Sequence, residues 1–238
     1  MKIYKLCISI IAVTIVFFAC KSVDLNIEAN KPNSESLQAE QEIGPEKEPL
    51  TDFTIGHGQI LSDDGITYEI DVILKDGFHY YEDDMGPFYG DNYKGIYEIV
   101  LKKDGNIINH LDLSKDWQDK YDDELFFSRE FEIELIDYDR DGNYEFLIGQ
   151  YFSSNLNLYK MYQVNTSKDE LIALKDVGYL NFSGYRETEK LTLDDDGNYY
   201  VNGYDNSEGK YFKIPILFQD GKITRGELEY NNAITVTP

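Results

Sequence analysis

Alternating apolar and polar positions run through most of this chain, and they come in paired stretches. Ile66–Ile73 alternates behind Leu61-Ser-Asp-Asp-Gly65, and Tyr97–Leu101 leads into Lys103-Asp-Gly-Asn106. Leu191–Leu193 precedes Asp196-Gly-Asn198 and then Tyr199–Val201, while Ile214–Phe218 precedes Asp220-Gly-Lys222. A period of two places one face of a strand in a core and the other in water. Asp-Gly between two such runs signals a hairpin, because a type I′ turn needs positive φ at both central residues. Spacing near 3.6 residues is hard to find. Its best stretch is Ser114–Leu125, where Ser114 is placed to cap a helix and Trp117, Tyr121 and Leu125 share one face. The pattern predicts an all-β domain built from antiparallel hairpins, with at most one short helix. It closes either as a sandwich or as a small or partial propeller-like array. Propeller blades take about 40–45 residues each, and no repeat at that period is present, so the sandwich is the expected architecture.

The first fifty residues do not share this pattern. Lys2 and Lys5 precede an apolar run from Leu6 to Ala19, with Cys20 next. A charged start, an apolar middle and a small residue before the cut make a signal peptide. The run is shorter than the roughly 20 residues a spanning helix needs. Ala19-Cys20 resembles the end of a bacterial lipoprotein signal, with Phe17 where such signals usually carry Leu. The resemblance implies acylation of Cys20 and a domain held on the extracytoplasmic face of a bacterial cell membrane. Two or three acyl chains anchor stably where one binds only marginally. Residues 21–50 are rich in Asn, Glu, Ser, Gln, Lys and Pro, and their aliphatic residues lack periodicity. Such a stretch buries too little apolar surface to offset its ordering entropy, so it is expected to be a disordered tether. Residues 51–238 are left as a single β domain.

Composition narrows the chemistry. Tyr and Phe total 33, which suits half-buried pleated surfaces. Cys7 lies in the expected leader and Cys20 would carry lipid, so the mature domain has neither disulfide nor thiol nucleophile. Acids number 45 against 22 Lys and Arg, a net charge of −23. Loss of Lys2 and Lys5 with the leader leaves 20 basic residues against 45 acidic ones, or −25. Such a domain repels nucleic acid and anionic lipid headgroups, leaving cations, basic peptides and neutral glycans as ligands.

The densest chemistry lies in Asp137-Tyr-Asp-Arg-Asp-Gly-Asn-Tyr-Glu145. With Asp137 as position 1, carboxylates fall at positions 1, 3 and 5 (Asp137, Asp139, Asp141), and Gly142 at 6 permits a sharp turn. Asn143 offers a backbone carbonyl at 7, and Glu145 stands at 9. An EF-hand would need Glu at 12, where Ile148 stands, and both flanks read as strands. A strand–loop–strand Ca2+ site is the consistent reading. Ile133–Gln150 resembles the calcium loops of FG-GAP, or integrin-type, repeats, which read Asp-x-Asp-x-Asp-Gly-x-x-Asp. This chain has Glu145 for the last Asp and lacks the Phe-Gly and Gly-Ala-Pro segment of that repeat. Gly90–Tyr97 and Phe146–Tyr159 resemble uncharacterised lipoproteins and exported proteins of clostridia and bacilli. That resemblance implies localisation and the loop, without an activity.

Other features read as structure. In Asp194-Asp-Asp-Gly197, Thr192 and Tyr200 would occupy positions 1 and 9, so this is a turn. Acid-rich aromatic stretches at Tyr80–Asp84 and Asp116–Glu124 read as solvated loops, and Trp117 as a core anchor. His57, His79 and His110 show no metal-ligand spacing, and no nucleophile elbow, His-Glu-x-x-His or phosphate loop is present. The expected protein is a lipid-anchored, calcium-stabilised envelope domain that binds a protein or glycan or plays a structural part. A hydrolase acting on envelope glycans or peptides is the alternative.

Overall fold

The computed structural model describes residues 44–231, apart from 63, 123, 155, 184–186 and 220. The leader, Cys20 and tether residues 21–43 lie outside the described residues. Ile43–Pro238 forms a compact unit separate from Met1–Glu42, and every strand pairing and both cores described below lie within it.

The first sheet comprises β1 (Lys47–Leu50), β2 (Phe53–Leu61), β3 (Thr67–Glu82), β4 (Gly90–Lys103), β5 (Asn106–Asp112), β6 (Leu125–Phe127) and β7 (Phe131–Glu132). Its order is β5-β4-β3-β2-β7, antiparallel except for the parallel β2–β7 pair. Strands β3 and β4 are long enough to change neighbours midway. β3 pairs β2 in its first half and β1 in its second, while β4 pairs β6 in its first half and β5 in its second. At the changeover Gly77 faces Gly95. A Cβ on Gly95 would stand 2.2 Å from the Asp76 carbonyl oxygen, and one on Gly77 2.3 Å from that of Lys94. Only glycine lets the two backbones approach this closely.

Two further sheets follow. β8 (Tyr144–Ser153), β9 (Leu156–Asn165), β10 (Glu170–Ala173) and β11 (Leu180–Phe182) form the second, with β8 on one side of β9 and β10 and β11 on the other. β12 (Thr192–Leu193), β13 (Tyr199–Asp205), β14 (Lys210–Gln219), β15 (Lys222–Arg225) and β16 (Glu229–Asn231) form the third. Alternate residues of the second sheet enter different cores. Phe146, Ile148, Leu158 and Tyr162 pack against Ile70, Val72 and Ile99 of the first sheet. Leu147, Tyr159 and Met161 pack against Val201, Phe212 and Ile214 of the third. The molecule is an all-β sandwich with a middle layer covered on both faces. This is why β8 carries Phe146, Leu147 and Ile148 in succession and β9 the pairs Leu158-Tyr159 and Met161-Tyr162, rather than a strict alternation.

The Asp-Gly signals stand where the pattern placed them. Gly65, Gly105, Gly197 and Gly221 all have positive φ between successive strands, and Asp104 joins Gly105 in a two-residue turn with φ +47° and +77°. Two local expectations need correction. Lys47–Leu50, assigned to the tether by composition, is a strand: its side chains are mostly exposed, and the β3 backbone holds it without an apolar pattern. The single helix expected at Ser114–Leu125 is two short turns, α1 (Leu113–Asp116) and α2 (Gln118–Tyr121). Asp112 caps α1 by accepting the Lys115 N–H, whereas the Ser114 hydroxyl accepts the Tyr97 N–H. Asp122 breaks the helical path at φ +40°, and Leu125 pairs with Gly95 in β6.

Candidate functional site

The acidic loop is closed by a two-bond bridge. Ile136 N–H donates to the Glu145 carbonyl at 3.0 Å, and Glu145 N–H returns the bond at 2.9 Å. The backbone turns back through Arg140 (φ +62°) and Gly142 (φ +85°). This turn points amides at carboxylates. Asp137 accepts the Asp141 and Gly142 N–H groups, each at 3.0 Å, and Asp139 accepts the Asp141 N–H at 3.3 Å. Asp141 accepts the Asn143 N–H at 2.8 Å. Thr166 braces the far side, its N–H donating to Asn143 Oδ1 and its hydroxyl to the Gly142 carbonyl.

Asp137, Asp139 and Asp141 each present one oxygen, and the three lie within 4.8 Å of one another. Two oxygens on a shared calcium, each at about 2.4 Å, stand no more than about 5 Å apart. The donor set thus fits a hard cation in chemistry and in span. Burial, then the neighbouring Asp141 carboxylate, pushes the Asp139 carboxyl up.

Glu145 differs from these three acids. Its side chain is fully buried, with Oε1 accepting Gln163 Nε2–H at 2.9 Å and Oε2 accepting the Tyr138 N–H at 3.3 Å. Burial pushes its carboxyl up to about 8, against the pull of those two donors, and Asp139 and Asp141 add to the rise. The structure brings Asp137, Asp139 and Asp141 together, sets Glu145 behind them, and turns the Asn143 side chain toward Asp141 and Thr166. Asp194–Gly197 is a turn: Asp194 accepts the Asp196 and Asn198 N–H groups and pairs with Lys213 at 2.7 Å.

Nothing in the residue pattern points to the groove of about 1150 Å³ between β5, α1 and β10. Lys160 projects into it, 3.3 Å from Asp116 and over the rings of Trp117 and Tyr179 at 5.2 and 4.9 Å. Trp117 Nε1–H donates to the Tyr162 hydroxyl, which donates to Asp116, both at 3.0 Å. The Tyr179 hydroxyl donates to Asp119, and this bond holds the Asp119 carboxyl below its ordinary range. These groups satisfy one another. Trp117 is wholly buried, the core anchor its apolar spacing predicts. Among the described residues the acids pushed upward are Glu145 and Asp139, both at the loop and away from this groove. No family profile, curated protein or solved structure matches this chain.

Proposed function

We propose that this chain is a lipid-anchored, calcium-stabilised extracytoplasmic β domain serving as a non-catalytic binding or structural component of a bacterial envelope. One observation carries the reading: three aspartate carboxylates within 4.8 Å, each oriented by backbone N–H groups of their own loop. Three like charges held this close raise the free energy of the metal-free fold, and a divalent cation offsets that repulsion. Asp137, Asp139 and Asp141 would hold it, with Asn143 and Glu145 supplying the remaining oxygens. The lipid anchor rests on the leader ending at Ala19-Cys20, and the exclusion of nucleic acid on the charge of −23. The hydrolase alternative needs a raised carboxyl facing a cavity. In the groove beside Lys160, Asp116 is tied to Lys160 and the Tyr162 hydroxyl, and Asp119 to the Tyr179 hydroxyl, which supports the binding module.

The test is thermal unfolding of residues 43–238 in EDTA and across a calcium series. With a dissociation constant of about 0.1–1 mM, typical of extracellular modules, about 10 mM calcium adds about 1.4–2.7 kcal/mol. For a domain of this size that raises the midpoint by about 3–10 °C. Asp139→Ala should abolish the rise. A wild-type midpoint that is indifferent to calcium up to that concentration overturns the metal reading.

A further inference from the structure

A second cavity, of about 570 Å³, opens where the first and second sheets meet. Its walls are aromatic and come from separate elements: Tyr80 of β3, Phe88 of the β3–β4 loop, Tyr121 of α2, Phe126 of β6 and Tyr151 of β8. Phe88 stands edge-on to Phe126 at 4.9 Å and to Tyr151 at 5.2 Å, yet is still 39% exposed. Tyr121 is fixed by its hydroxyl, which donates to the Tyr151 carbonyl at 2.7 Å. At the rim Lys94 and Glu124 pair at 2.8 Å. The cavity therefore combines ring faces with adjacent donors and acceptors.

A buried polar atom lies next to this wall. Asn92 is directly across from Tyr80 and two residues before Lys94, so all three share one face of the sheet. Asn92 is wholly buried; its Nδ2 donates to the carbonyls of Phe88 at 2.9 Å and Gly90 at 2.6 Å. Both partners are acceptors, which fixes the amide orientation and leaves Oδ1 as an acceptor with no partner among the described residues. An ordered water is the usual partner of a buried acceptor in this state. Through its amide the same residue holds the loop that carries Phe88 and so fixes one wall of the cavity.

We infer that this cavity binds a neutral glycan, with sugar C–H faces against the aromatic walls and hydroxyls bonded at the Lys94–Glu124 rim. A sugar ring has apolar C–H faces that suit aromatic rings, and hydroxyls around its edge that both donate and accept. An adjacent ammonium and carboxylate match two neighbouring hydroxyls, one accepting and one donating. The volume lies within the range of small-ligand sites. A net charge of −23 disfavours an anionic polysaccharide. The inference rests on the binding-module reading above and names the ligand class.

Titration calorimetry of residues 43–238 tests it, with neutral tetrasaccharides of β-1,4-glucose, β-1,4-N-acetylglucosamine and α-1,4-glucose, each to about 10 mM. At least one should bind with a dissociation constant of about 1 mM or tighter. Phe88→Ala and Glu124→Gln should each weaken it at least about tenfold, while Asp139→Ala leaves it within about twofold. Both altered side chains are partly exposed, so unchanged melting of either variant shows that the fold is intact. No binding by any of the three sugars overturns the inference, as does binding that survives both substitutions. Binding of trilysine but of no sugar overturns it in favour of a basic peptide. A domain that ignores sugars but is stabilised by calcium loses this inference alone; one that binds sugar and ignores calcium loses the metal reading alone.

Discussion

Glu145→Gln isolates the cost of the buried acid behind the loop. In the metal-free domain its carboxyl sits at about 8, against an ordinary value of 4.5, chiefly because the side chain is fully buried. Below pH 4.5 it is protonated in both folded and unfolded chains and contributes no pH dependence. Between 4.5 and 8 the unfolded chain ionises while the folded one keeps its proton, so stability falls as pH rises. The slope approaches about 1.4 kcal/mol per pH unit, and by pH 7 the loss reaches about 3 kcal/mol. Gln cannot ionise and removes this slope. Its absolute stability is a poorer readout, because the two carboxyl oxygens face two donors and Gln must turn its NH2 toward one of them. Urea unfolding in EDTA at half-unit steps from pH 5 to 8 measures both proteins. Subtracting the profiles cancels the groups that both proteins share. Wild type should lose about 3–4 kcal/mol more than the variant across that window. A difference below about 0.5 kcal/mol would show that Glu145 ionises freely, and would refute the argument from burial. Saturating calcium should flatten the wild-type profile, since a nearby cation favours the ionised form.

Two further substitutions test the fold around the sites. Gly95→Ala forces a methyl to within 2.2 Å of the Asp76 carbonyl where β3 and β4 change partners, and should cost about 3 kcal/mol or more by urea unfolding. Gly86→Ala, whose added Cβ comes no closer than 3.9 Å to its neighbours, should be nearly neutral, and equal costs at both positions would refute the close approach. Asp71 is buried between His57 at 2.7 Å and Lys102 at 2.5 Å; burial raises its carboxyl, but the two partners outweigh burial and hold it below 3.8. Such an acid stabilises the fold above about pH 4 and loses that contribution as pH falls through its lowered value. Lys102→Met should therefore cost about 2 kcal/mol at pH 7 and progressively less toward pH 3, and a penalty constant across that range would exclude ion pairing as its source.

The hairpin grammar was legible because its signals are local. Asp104-Gly105 has the backbone conformation that residue pair favours, whatever the rest of the chain does. The loop triad was legible for the same reason, since five consecutive residues determine it. What could not be read depends on residues distant in sequence. Positions 1, 3, 5 and 9 of the loop look alike as acids, yet Glu145 alone lies on β8 opposite Gln163, in a sheet covered on both faces. The succession Phe146-Leu147-Ile148 in β8 is the sequence trace of that third layer, though a buried helix segment reads similarly. Lys47–Leu50 carries little apolar signal because backbone bonds to β3 hold it and only Leu50 packs on the core. Tyr80 looked like part of an acidic loop until β4, β6 and β8 supplied its partners, of which Phe126 and Tyr151 lie 46 and 71 residues away.

Strand β8 links the two proposed sites, with the loop entering at Tyr144 and the aromatic cavity taking Tyr151 near its other end. Seven residues of strand span about 23 Å, beyond direct electrostatic reach at physiological salt. Coupling over that distance needs an element with two arrangements. The connecting segment, Phe146 to Gly149, is buried on both faces and pairs with β9 in unbroken register from Tyr144 to Tyr151. A strand held in this way transmits neither rotation nor register shift without opening a core. Calcium should therefore raise global stability and leave sugar affinity unchanged, and by reciprocity sugar should leave calcium affinity unchanged. Their stabilisation energies should add. A sugar dissociation constant that shifts more than about threefold between EDTA and saturating calcium would mean that the middle sheet has a second arrangement, which these two covered faces argue against.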